Sequence, residues 1–327
     1  MVQETGYAKI NLALDIVGQR EDGYHLVRMV MHTVGIADRL EISVTDREGE
    51  VILLPMKTGS GIADEEADKG SDEEADAKSG GAGAALSYGE DNLVVKAARA
   101  LFREAAKKGG QAAENIKGKG LRILLEKNIP VQAGMAGGST DCAAALRGIN
   151  RALELGFSAE ALCRIGTGLG ADVPFCIMGG TALSEGIGEV LTPLTALPEA
   201  AILIAKPPAG ISTPEAYRGY DELMKKAAAG EGEEPERPDI DRMIEGLTEG
   251  NLEKVASSMG NVLEPVTGPR VPEIAELEKE MLSAGAVAAQ MSGSGPTVFG
   301  IFADTESAWQ AAERLSGKDL AEAVFVV

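Results

Sequence analysis

IPVQAGMAGGSTDCAAAL, residues 129–146, decides the fold. Gly134, Gly137 and Gly138 precede Ser139, Thr140 and Asp141, and DCAAALRGINRALEL then reads as a helix. Glycines clear side chains where a backbone meets a ligand or takes positive φ, and a helix directs its positive dipole end at whatever sits before it. A phosphate suits that geometry, while an ordinary helix cap is the simpler account of the turn taken alone. Neither Gly-Lys-Ser/Thr nor G-x-G-x-x-G is present, so the usual mononucleotide and dinucleotide loops do not apply.

Upstream of the turn, LRILLEKNIP reads as a strand broken by Pro130. GEDNLVVKAARALFREAAKK reads as an amphipathic helix, with Leu93, Ala97, Leu101 and Phe102 on one face. Between about Met56 and Ser87 the chain is charged, glycine-rich and nearly free of large apolar side chains, which reads as a mobile surface insertion. Nearer the start, YAKINLALDIV and ADRLEISVTD alternate like strands about the turn GQREDGYH.

Downstream, AEALCRIGTGL reads as a short helix, and GADVPFCIMGGTALSEGIGEVLTPL and AAILIAKPP as strands and turns. A polar loop is expected from about Lys226 to Asp241. The last eighty or so residues give two helical patterns, the turn SGSGP, and strands at TVFGIFA and AVFVV, a smaller α+β unit. At 327 residues two domains are the default, and 44% apolar residues supply both cores.

A net charge of −20 repels polyanions and argues against nucleic-acid binding, yet permits one small anion on backbone N–H groups. No stretch approaches the roughly 18–20 apolar residues of a membrane span and no leader pattern opens the chain, so a cytoplasmic protein off the membrane is expected. Cys142, Cys163 and Cys176 lack C-x-x-C spacing and read as buried small residues. With two histidines, His25 and His32, a multi-histidine metal site is excluded, whereas a hard cation on oxygen ligands remains open.

Two charged residues stand out. Asp141 either caps the helix or, beside a bound phosphate, takes a proton from an attacking hydroxyl; Lys9, in an apolar strand, either snorkels outward or faces a site.

Taken in order, KINLALDIVGQREDGYH (9–25), EDNLVVKAA (90–98), the glycine turn, GADVPFCIMGGTALSEGIGE (170–189) and SGSGPTVFGIF (292–302) resemble the GHMP small-molecule kinases. The resemblance implies an α/β, two-domain fold. An N-terminal α+β domain of the ribosomal-protein-S5-domain-2-like type spans 1–157 with the polar insertion at 56–87, and a ferredoxin-like domain spans 158–327. It implies ATP and Mg²⁺, and a small cytidine-bearing alcohol as substrate. Homoserine, mevalonate or a sugar, or silent nucleotide binding by the same fold, are the alternatives. A monomer or homodimer is expected.

The resemblance makes Asp141 the base and Lys9 the residue activating the hydroxyl. It assigns ATP to Asn92, Lys96, Pro130, Gly134, Met135, Ala136, Gly137, Gly138, Ser139 and Thr140, with Ser139 or Thr140 touching the cation. For the substrate it implies Asn11, Tyr24, His25, Asp172, Phe175, Cys176 and Thr213, Tyr24 stacking on the base and His25 bonding its edge. Read as plain structure, Asn92 caps a helix, Lys96 is a solvated charge, Asp172 braces a turn and Thr213 caps the helix at PEAYRGY.

Two departures from the family pattern stand out. Ala136 places a methyl group where the loop wants positive φ, and Cys176 falls where an aromatic is expected two residues after the proline of A-D-V-P. The second turn, at Ser292 and Gly293, is implied to pack under the phosphate loop or the substrate tail.

Overall fold

The computed structural model describes residues 1–56 and 86–327, so the expected polar insertion lies almost wholly outside the described residues. The chain opens with two long strands, β1 (Val2–Gln19) and β2 (His25–Thr45), paired antiparallel about the expected turn. β3 (Val51–Pro55) follows, then α1 (Leu93–Lys108), α2 (Gly110–Ile116), β4 (Gly120–Glu126) and α3 (Gly137–Ala152). Next come α4 (Ala159–Thr167), α5 (Val173–Met178), β5 (Thr181–Glu185) and β6 (Val190–Pro193). These strands form one sheet in the order β3-β4-β2-β1, with β5 also on β2, β6 on β5, and the two-residue β8 (Gly260–Asn261) on the outer edge of β1.

β7 (Ala201–Lys206) starts a second sheet, followed by α6 (Thr213–Ala228), α7 (Ile240–Glu249) and α8 (Leu252–Ala256). After β8 come α9 (Glu264–Thr267), α10 (Glu273–Ser283), β9 (Ala288–Met291), β10 (Val298–Phe302), α11 (Thr305–Ser316) and β11 (Ala323–Val326). The order β11-β7-β10-β9 is wholly antiparallel. The expected division at residue 157 cuts the first unit, because β5 pairs β2 from Met29↔Ser184 to His32↔Thr181. The first sheet therefore takes in β5 and β6 as far as Pro193, and β8 beyond them.

Three apolar cores follow from this layering. α1 and α3 bury Leu101, Leu146 and Ile149 against Leu121 and Ile123 of β4. At roughly 1.5–3 kcal/mol for each buried aliphatic side chain, this is a principal anchor of α3 and hence of the turn before it. A second core joins Ile10 and Leu12 of β1 to Ile204 of β7 and Phe299 of β10, and a third joins Leu14 and Met29 to Leu203 and Phe302. The two sheets thus share apolar contacts on either side of β1. Because alternate residues of a strand face opposite ways, Ile10 and Leu12 point into core while Lys9 and Asn11 share the other face.

Two helix readings need correction. α3 begins at Gly137, so Asp141 lies a turn inside the helix instead of at its start. The segment 173–178 is helix, not strand, with Pro174 in its first turn.

Candidate active site

A cleft of about 780 Å³ runs between the glycine turn, β1, the 20–24 turn and α6. Its floor is set by two glycine turns from opposite sheets. Gly134 has φ 72° and Gly293 φ 60°; a Cβ on the first would collide with the Ser292 carbonyl oxygen and one on the second with that of Gly134. The Ser292 hydroxyl donates to Gly134 O at 3.2 Å and accepts the Asn11 N–H at 3.2 Å. The second turn therefore packs beneath the first, one of its two expected roles. Ala136 takes φ 58° and ψ 29° just before α3, the strained placement its methyl group suggested. Gly137, Gly138 and Ser139 form the first turn of α3 on the cleft wall, where backbone N–H groups have no intrahelical acceptor.

Two lysine–carboxylate pairs face this space. Lys9 is buried; its ammonium donates to Asn11 Oδ1 at 2.6 Å and Gly134 O at 3.4 Å, and lies 3.7 Å from Asp172 Oδ2. Asp172 stands just before α5 without capping it, and its side chain keeps 30% exposure. Asp172 does not brace the turn through its side chain; it presents an accessible carboxylate to Lys9.

The second pair is closed. Asp141 Oδ2 accepts from Lys127 Nζ at 2.9 Å, and Lys127 also bonds Asp38. Asp38 is fully buried and accepts the N–H groups of Asn128 and Ile129 at 2.6 and 2.8 Å. Burial, with Asp38 close by, holds the Asp141 carboxyl well above the usual carboxylate range despite the Lys127 charge. Lys127 is held above its ordinary value: burial opposes this, and the two carboxylates outweigh it. Among the described residues the carboxylate within 4.0 Å of Lys9 is Asp172, while Asp141 pairs with Lys127.

At the other end of the cleft Tyr24 is 60% exposed, and His25 Nε2 sits 2.7 Å from Asp221 Oδ1. The Tyr217 ring lies 4.9 Å from that of His25, and burial pushes its phenol up. Thr213 does not cap α6; its hydroxyl lies 3.0 Å from that of Ser294.

The structure thus brings Lys9, Asn11, Tyr24, His25, Pro130, Gly134, Ala136, Gly137, Gly138, Ser139, Asp141, Asp172 and Thr213 to one cleft. It does not bring the remainder. Asn92 caps α1, accepting from Val94 N at 2.8 Å, and Lys96 is an exposed helix charge. Met135 is buried in core, only its carbonyl oxygen meeting Lys9 N. Thr140 is fully buried, and its hydroxyl points away from the loop, donating to Tyr7 O at 3.0 Å with Cys176 Sγ 3.4 Å away.

Phe175 is a core residue and Cys176 packs half-buried against the core, because 173–178 turns as a helix. Burial holds the Cys176 thiol up at about 12. The aromatic wall sought at Cys176 is offered by Tyr217, which sequence reasoning passed over along with Lys127, Asp38 and Asp221. The spacing of Thr213, Tyr217 and Asp221, four residues apart, carried that signal.

The chain matches the family models for the GHMP kinases N terminal domain over residues 92–180 and GHMP kinases C terminal over 243–320. It is 43% identical over 318 residues to 4-diphosphocytidyl-2-C-methyl-D-erythritol kinase of Lachnospira eligens, covering 97% of this chain and 94% of that one. The enzyme of the same name from Pelotomaculum thermopropionicum is 41% identical, with 95% and 93% covered. A crystal structure of 4-(cytidine 5′-diphospho)-2C-methyl-D-erythritol kinase aligns with TM-score 0.70 at 28% identity, covering 99% and 97%. A crystal structure of L. major mevalonate kinase in complex with R-mevalonate aligns with TM-score 0.66 at 16% identity over 100% and 96%, a likeness of fold.

Proposed function

This chain belongs to the GHMP kinases, ATP-dependent enzymes acting on small molecules, and from that premise we propose that it phosphorylates the 2-hydroxyl of 4-diphosphocytidyl-2-C-methyl-D-erythritol. The products are the 2-phosphate and ADP, within isoprenoid precursor synthesis. The observation that carries this reading is the single cleft in which the glycine turn, the Lys9–Asp172 pair and the Tyr24–His25–Tyr217 wall lie in sequence.

The residues divide the work as follows. Phosphoryl transfer has a loose transition state, so catalysis is mainly alignment and charge neutralisation. Backbone N–H groups at Gly137, Gly138 and Ser139, with the dipole of α3 behind them, hold the phosphates. Lys9, fixed by Asn11 and Gly134, orients the acceptor hydroxyl and offsets its developing charge. Asp172 takes the hydroxyl proton. Asp141, expected in that part, instead holds Lys127 beside the glycine turn, where a Cβ on Gly137 would lie 3.0 Å from the ammonium. Tyr24 and Tyr217 stack on the cytosine.

Mg²⁺ fits as a companion of the phosphates. Among the described residues no cluster of three His, Cys, Asp or Glu forms a site of its own, and Ser139 presents its side chain to the cleft with no hydrogen-bond partner. When bound, Mg²⁺ supplies charge neutralisation on the transferring phosphates. We place the protein in the cytoplasm, where ATP is made and its three free thiols stay reduced.

The test is ADP release with Mg²⁺-ATP and 4-diphosphocytidyl-2-C-methyl-D-erythritol, homoserine, mevalonate or no acceptor. Turnover with the cytidylyl substrate alone is expected. Turnover with another acceptor and none with this one overturns the substrate assignment.

A further inference from the structure

The imidazole of His25 is held on three sides. Its Nε2 lies 2.7 Å from Asp221 Oδ1, Tyr217 covers one face with rings tilted by 39°, and Tyr220 meets it edge-on at 83°. The side chain keeps 13% exposure, enough to line the cleft and too little to turn freely. A carboxylate only accepts hydrogen bonds, so the Nε2 of this pair carries a proton. Among the described residues Nδ1 has no hydrogen-bond partner. In the neutral ring, Nδ1 is therefore an acceptor by necessity.

We propose that Asp221 is a positioning residue for base selection: by holding the Nε2–H tautomer it leaves His25 Nδ1 able to accept from an exocyclic amino group and unable to donate to a carbonyl. Cytosine offers an amino group at its 4-position where uracil has a carbonyl oxygen, so the tautomer alone separates the two bases. The helix face supports the assignment. Thr213, Tyr217 and Asp221 follow at intervals of four, all on the cleft side of α6. The second part of the chain thereby sets the chemistry of a residue in the first turn. This rests on the reading that His25 meets the base, and the tests separate the two.

Because the chain has only two histidines, ¹⁵N–¹H correlation of the ring nitrogens reads the tautomer directly. His32, whose Nδ1 bonds Thr181 at 2.8 Å, serves as internal reference. The free enzyme is expected to show His25 protonated at Nε2; protonation at Nδ1 overturns the proposal. In turnover, the wild type is expected to favour the cytidylyl substrate over its uridylyl counterpart by about 10²–10⁴ in kcat/KM.

Asp221→Ala is expected to reduce that preference to within about tenfold by raising KM for the cytidylyl substrate, with KM for ATP little moved. Asp221→Asn, whose amide oxygen still accepts from Nε2–H, restores most of the preference. Undiminished preference in Asp221→Ala overturns the tautomer role. An unchanged cytidylyl KM in His25→Ala instead overturns the underlying reading, whatever the Asp221 variants do.

Discussion

Lys9–Asp172 and Lys127–Asp141 are chemically the same pair in different surroundings. The first is 3.7 Å apart with a carboxylate 30% exposed, while the second is bonded at 2.9 Å, with Asp38 accepting a further hydrogen bond from the lysine. Loose geometry and access leave a carboxylate free to accept a proton from substrate; close bonding and burial commit it to its neighbours. The difference separates a pair suited to reacting from one suited to holding a loop.

The largest effect that can break this comparison is at Asp172. Asp172→Asn is expected to lower kcat by about 10³-fold or more, with the ATP dissociation constant within a few-fold of wild type. If Asp141→Asn proves as damaging and Asp172→Asn mild, the roles are reversed. Next in size, Lys127→Met leaves two buried carboxyl groups without their cation and is expected to cost about 3–5 kcal/mol in urea unfolding. A loss below about 1 kcal/mol would deny the pair its structural part.

Tyr217→Ala sharpens the contrast at the open end of the cleft. It is expected to raise KM for the cytidylyl substrate about tenfold with kcat changed far less, as loss of ground-state stacking requires. Equal losses in kcat and kcat/KM would move Tyr217 into the reacting geometry.

The smallest effect is in pH. The folded chain keeps the Asp141 proton above its ordinary pKa of 3.8, so the native state binds more protons than the unfolded one as pH rises past that value. This contribution to stability is present in acid and is lost as pH climbs through the native pKa. Asp141→Asn is expected to flatten that decline in a Tm-versus-pH series while holding kcat within about tenfold of wild type. A decline as steep as in wild type would place the titration elsewhere.

The sequence made the β1–β2 ribbon legible through its alternation, and α1 and α3 through their periodicity. Asp141 was misplaced for a local reason: α3 starts four residues earlier than the glycines suggested, which turns its carboxylate toward Lys127. Asp172 was undervalued because A-D-V-P-F-C read as extended, although Pro174 was itself a helix-start signal. Cys176 was placed in the cleft by the family pattern, which expects an aromatic two residues after Pro174, and that expectation drew attention away from Tyr217. Asp38 meets Lys127 across 89 residues, a pairing that depends on β2 and β4 lying side by side and leaves no local trace.

The Ser292 hydroxyl bridging Gly134 O and the Asn11 N–H has a consequence for biosynthesis. A ribosome releases the strands and the glycine loop long before Ser292 is made, and domains generally fold as they emerge. The loop nevertheless takes its final shape against a turn 158 residues later. A nascent chain that has not yet reached Ser292 therefore lacks the surface that shapes its glycine turn, and the cleft is completed only once that second turn has emerged.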